Sequence, residues 1–201
     1  MPRTINPARH AARRLRIIDA ALTRFAADGY EATTTASICA EAGIGSGTFF
    51  HYFPTKADVL LGILELGTAE TTAWFAEQSG REDAAGVLHD WIDKTIEDFS
   101  DRRIAGFVRA VGAVMSRPEF AAALTADDRA TWAGLLGWVE LAQRQGSIRV
   151  DLDAPRLTSW LTVLTDGFAD RIATDDGFTA VAEGAMLRDA AHRLLAPGSD
   201  E

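Results

Sequence analysis

The apolar residues of this chain return every three or four positions, and that spacing constrains the fold more than any other feature. Leu15, Ile18, Leu22 and Phe25 follow one another at 3-4-3 intervals, so they share one face of a helix. Similar stripes recur to the end of the chain, and period-two alternation between hairpin turns is absent. The expected fold is all-α, with about nine helices. The first should cover about 11–27 and stop at Gly29, where a left-handed cap is available. Short helices over 35–42 and 46–52 follow, separated by Gly43-Ile44-Gly45. Thr55-Lys56-Ala57-Asp58 has the form of a capping box, which starts a fourth helix running to about Gln78. Later helices are expected at about 83–100, 103–115, 118–145, 155–172 and 177–195, with a bend allowed near Leu124. Residues 197–201 should fray.

The net charge of −9 argues at first against a nucleic-acid partner, but the charge is unevenly placed. Residues 1–60 hold seven Lys/Arg against five Asp/Glu, while residues 61–201 hold 13 against 24. A slightly basic front and an acidic remainder suit a DNA-facing end on a body that DNA repels, although chance variation would give the same tally. Cys39 is the one cysteine, so an intramolecular disulfide is excluded, and a small core filler is the expected role. The chain begins without the apolar segment of a secretory signal, and no stretch approaches the ~18–20 apolar residues of a membrane span. The expected location is cytoplasmic, with no membrane partner.

Residues 35–53 carry the most information. Thr35-Ala36-Ser37-Ile38-Cys39-Ala40-Glu41-Ala42 leads into the turn, and Ser46-Gly47-Thr48-Phe49-Phe50-His51-Tyr52-Phe53 leaves it. Ile38, Ile44, Phe49 and Phe53 can pack inward, Gly43 permits the left-handed backbone of a sharp turn, and small Ala40, Ala42 and Gly47 let the helices approach. Two short helices around such a turn form a helix-turn-helix, whose second helix enters the major groove of DNA.

The run from Gly43 to Lys56, with Phe25 to Thr34 before it, resembles the DNA-binding region of the tetracycline-repressor (TetR) family over about residues 12–60. The resemblance implies an N-terminal arm and three-helix DNA-binding domain over 1–56. It also implies a helical regulatory domain over 57–201 that binds an effector and dimerises. Thr35 would donate to a phosphate. Gly45, Ser46, Gly47 and Thr48 would lie at base edges or the adjoining backbone. Phe50 and His51 would contact bases or sugar–phosphate, Tyr52 would offer its hydroxyl to phosphate, and Lys56 would pair with phosphate. The segment Gln145 to Asp153, followed by Asp166-Gly167-Phe168, is similar to the C-terminal domain of the betaine-synthesis-repressor branch.

Two departures from the family pattern shape the expected chemistry. Phe50 stands where the family usually has Tyr. Ser46 and Ala36 stand where many members carry Lys and Arg. The recognition helix therefore has no Lys or Arg, and bidentate guanine readout within it is unavailable. Ser46, Thr48 and His51, apolar contact from Phe50 and DNA shape are left to read sequence. Much of the salt-dependent affinity is then expected from the N-terminal arginines, Arg3 to Arg16, with Arg13 and Arg14 foremost. Each residue also has a plain alternative: Phe50 as core, His51 as ordinary surface, the arginines as solvated charge.

Beyond residue 57, Trp74, Trp91, Phe107, Met115 and Trp138 are candidates to line a mostly apolar effector pocket, though aromatics at helical spacing equally make plain core. Trp160, Leu164 and Phe168 form one apolar stripe, and Phe178, Val181 and Met186 another. Both are expected at a homodimer interface, the alternative being burial within one protomer. His89 and His192 are isolated in sequence, and no nucleophile–base pair, phosphate loop or metal motif appears, so no enzyme, cofactor or metal is expected. The function expected is that of a sequence-specific DNA-binding regulator, a repressor released from operator DNA by a small-molecule effector. A regulator of the same kind with no small-molecule input is the alternative.

Overall fold

The computed structural model describes residues 7–197, so Arg3 of the arm and the last residues from 198 lie outside the description. Among the described residues there are nine helices and no strand: α1 (Pro7–Ala32), α2 (Thr35–Ala42), α3 (Ser46–Tyr52), α4 (Lys56–Glu77), α5 (Ala84–Phe99), α6 (Ile104–Gly112), α7 (Pro118–Arg144), α8 (Ala154–Thr174) and α9 (Ala180–Leu195). The all-α expectation holds. α1 reaches back to Pro7, the first described residue and four positions before the expected start. Its regular part breaks at Gly29 (φ 76°), and a final turn continues to Ala32.

The helices gather into two compact units. One holds the described residues up to Leu66 together with Gly106–Leu124. The other holds Gly67–Ala105 and the residues from Thr125 on. α4 and α7 thus contribute to both. The N-terminal unit is larger than the 1–56 segment expected, because later residues complete its core. Ile17, Ala21 and Phe25 of α1 pack with Ile38 of α2, Phe49 of α3 and Val59 and Leu60 of α4. Val114 and Phe120 close the same cluster, and Phe107 packs against it. Gly106 lets α6 press on α1: a Cβ there would run into the backbone carbonyl of Ala26.

The C-terminal unit has its own core. Leu88 and Ile92 of α5, Leu135 and Val139 of α7, Leu157, Leu161 and Phe168 of α8, and Leu187 and Leu195 of α9 are all buried. α5 and α9 run side by side with Arg188 paired to Asp93 and Gly184 seated against Ile96. No described helix is long and apolar enough to cross a membrane.

Candidate nucleic-acid interface

The candidate interface is built from α2, the turn and α3. Thr34 caps α2: its hydroxyl accepts from the Ser37 N–H at 3.1 Å, and the Ser37 hydroxyl accepts in return from the Thr34 N–H at 3.1 Å. α2 ends at Gly43 (φ 62°, ψ 43°), whose N–H reaches the Ala40 carbonyl, while the Ile44 N–H reaches that of Cys39 at 3.0 Å. The Arg16 guanidinium lies where a Gly43 side chain would begin, 2.9 Å from that position, so a second constraint favours glycine there.

α3 begins at Gly45, which supplies no side-chain cap. The first helical amides to bond are those of Thr48 and Phe49, both to the Gly45 carbonyl. The amides of Ser46 and Gly47 are left for an outside acceptor. Phe49 and Phe53 hold α3 down, at 0% and 3% exposure. The opposite side carries Gly45, Ser46, Gly47, Phe50 and His51, all exposed, with Thr48 and Tyr52 half-buried at the margins. Phe50 is 51% exposed and meets only the edge of Phe49, so the core alternative for Phe50 is set aside. Thr35 is half-buried in the first turn of α2. Cys39 is buried, and burial pushes its thiol up, as suits a filler rather than a reactive thiolate.

One neighbour of α3 escaped the sequence reading. The His10 ring on α1 lies 4.5 Å from that of Tyr52 at a tilt of 36°, and 5.9 Å from His51, edge on. The signal was present: His10 precedes Ile17 by seven residues, which puts it on the buried stripe of α1.

The arginines and the lysine divide differently from the expectation. Arg13 is exposed. Arg14 turns to α4 instead. Its guanidinium lies 5.2 Å from the centre of the Phe53 ring, 3.9 Å from Glu65, and in the notch left by Gly62. Lys56 does not project outward either. Its ammonium donates to the carbonyls of Tyr30, Glu31 and Thr33 at 2.6, 3.3 and 2.8 Å and lies 4.3 Å from the centre of the Tyr30 ring. An ammonium has three protons, and three carbonyls at and just past the end of α1 take them. Burial pushes the Lys56 ammonium below its ordinary value, against the raising field of Glu31. Arg117 covers Tyr30 at 5.2 Å and pairs with Glu31.

The five aromatic and methionine candidates for an effector pocket do not converge. Phe107 packs on the N-terminal core, and Met115 is 55% exposed in that same unit. Trp74, Trp91 and Trp138 belong to the C-terminal unit, where Trp74, Phe75 and Trp91 pack ring against ring at 4.8–5.3 Å, and Trp74 alone of the five lines an open, largely charged pocket of about 540 Å³ with Gln78, Asp90, Asp93 and Lys94. That unit does have a cavity of about 330 Å³, walled by Phe99, Ala105, Ile172 and Phe178 with Ser100 and Arg102 at its polar side. None of the five lines it.

The α8–α9 face is apolar and open. Trp160, Val181 and Met186 are 47%, 84% and 64% exposed, and Leu164 and Phe178 are half-buried around a groove of about 280 Å³. Phe168 departs from the expected set: at 5% exposure, packed against Phe99 and Phe178, it belongs to the core of its own unit.

Residues 17–63 match the model of the bacterial regulatory proteins of the tetR family. The regulator KstR2 of Rhodococcus jostii, described as an HTH-type transcriptional repressor, is 29% identical over 163 residues, covering 75% of this chain and 78% of its own. The HTH-type transcriptional regulator UidR of Escherichia coli is 26% identical over 164 residues, covering 81% and 83%. A TetR transcription regulator from Haloarcula marismortui superposes with a TM-score of 0.80 at 18% identity, over 92% of this chain and 97% of that one, which establishes the shared all-α fold.

Proposed function

Because the chain belongs to the TetR family of bacterial regulatory proteins, we propose that it is a repressor that binds a two-fold symmetric operator as a homodimer and leaves it when a small molecule binds. One observation carries the DNA-binding half. A helix anchored from below by Phe49 and Phe53 presents Ser46, Gly47, Phe50 and His51 to solvent on one face, with uncapped amides at its start. The major groove of B-DNA admits an α-helix presented in this way. Selection from a randomised duplex library tests it. An enriched, two-fold symmetric sequence is expected, and enrichment of nothing would overturn the reading.

Dimerisation is supported by the exposed apolar face of α8 and α9, where Trp160, Val181 and Met186 would be covered by a second copy. Two reading heads would then address half-sites ~34 Å apart. For the effector we infer a largely apolar compound held in the C-terminal unit, where Phe99, Ile172 and Phe178 wall a cavity of about 330 Å³. A thermal-shift screen followed by operator release tests this part. The ring-on-ring packing of Trp74, Phe75 and Trp91 favours the alternative of a regulator without small-molecule input. A compound that releases operator DNA decides against that alternative.

A further inference from the structure

We propose that His10 is a positioning residue for sequence recognition: by stacking on Tyr52 it fixes the end of α3 and so sets how His51 meets the bases. The inference rests on the DNA-reading role proposed above.

α3 has only seven residues, too few to hold its shape by its own hydrogen bonds. Its buried anchors, Phe49 and Phe53, grip one side. His51 is exposed, and Tyr52, although one side of it packs against the N-terminal core, stays half-buried, so part of its ring is left for a neighbour outside that core. Among the described residues, the ring contacts of Tyr52 are with His51 in its own helix, at 5.2 Å, and with His10 outside it, at 4.5 Å. His10 also meets the edge of His51, so the three rings close a triangle. Its support is firm, since α1 is pinned two turns later by Ile17 and then Ala21, each at 0% exposure. The reference point for the far end of the recognition helix therefore lies on α1. The arrangement matters more here than in a helix rich in arginine. With no Lys or Arg on α3, polar readout depends on short groups whose direction must be set from outside.

The proposal separates ring packing from charge, so substitutions can test it. Full-length wild type, His10→Ala, His10→Gln and His10→Phe are titrated against the operator selected from the library, over a series of salt concentrations. Loss of the ring in His10→Ala and His10→Gln should weaken operator binding by about three- to tenfold, with His10→Phe within about twofold of wild type. The slope of log affinity against log salt should be the same for all four, because no phosphate contact is lost. The Tyr52 ring resonances should shift in His10→Ala and His10→Gln and return in His10→Phe. Wild-type affinity in His10→Gln, whose polar side chain preserves the surface, overturns the proposal. So does a His10→Phe protein as weak as His10→Ala with a shallower salt slope, which would make His10 itself a phosphate contact. If wild type selects no sequence, the DNA-reading role falls first and this inference with it.

Discussion

The Lys56 ammonium donates to the backbone carbonyl of Tyr30 at 2.6 Å, tying the first residue of α4 to the last turn of α1. Two further carbonyls, of Glu31 and Thr33, complete its hydrogen bonding. Lys56→Met should leave these acceptors without their donor and destabilise the protein by on the order of 2 kcal/mol. Operator affinity should fall through the population of the native reading head, while the salt slope stays unchanged. A slope lowered by about one would instead mark Lys56 as a phosphate contact.

Arg13 and Arg14 should behave differently in the same assay. Arg13 is exposed, whereas Arg14 is engaged with Phe53, Gly62 and Glu65. Arg13→Ala is expected to reduce the salt slope of operator binding, and Arg14→Ala to lower the melting temperature with little change in slope. Equal slopes in both variants would remove the distinction.

Tyr30 makes the N-terminal unit sensitive to high pH. Burial pushes its phenol above the ordinary value, with Arg117 opposing and Glu31 and Glu119 reinforcing. A raised phenol contributes stability that is fully present below the unfolded value near 10 and is lost as pH rises through the higher folded value. Tyr52→Phe leaves Tyr30 as the single tyrosine, so phenolate absorbance reports it alone. Ionisation above pH 10, accompanied by unfolding, is the expected result. Titration at or below 10 in the folded protein would contradict it.

Gly106→Ala should be far more damaging than a glycine-to-alanine change in an ordinary helix. The new methyl would meet the Ala26 carbonyl, a backbone atom that cannot swing aside. Overpacking of this kind costs roughly 1–3 kcal/mol. The same change at Gly137, which has open space beside it, should be neutral or mildly stabilising, and paired melting curves compare the two.

Val181 and Met186 test the dimer. They are the two most exposed of the expected interface residues, and neither is needed for the core. Val181→Asp with Met186→Glu should give a folded monomer by analytical ultracentrifugation and weaken binding to a two-fold operator by at least about tenfold. A double variant that remains dimeric would move the interface elsewhere.

The local architecture was legible because it depends on local chemistry. Gly43 must adopt the left-handed backbone, Thr55 and Asp58 must cap, and Phe49 and Phe53 must face inward whatever lies further along the chain. The unforeseen contacts share a different cause. A phosphate contact is the expectation for Lys56 and Arg14, and each long side chain also has partners that only the folded chain brings near: Tyr30, 26 residues before Lys56, and Phe53 and Glu65 for Arg14. Phe168 and Phe107 sit on helical stripes that show an apolar face without saying which neighbour covers it. The α1 stripe puts His10 on the buried side but does not name its partner, Tyr52, which lies two helices away.

Val114 and Phe120 give the reading head a boundary that no single cut in the chain can follow. A fragment ending after Leu66 would leave bare the apolar surface those residues cover, and would be prone to clump rather than bind. A chimera that grafts a foreign sensor onto this head must therefore carry Gly106–Leu124 across with it. The recombination unit is two separate stretches of sequence, inherited together.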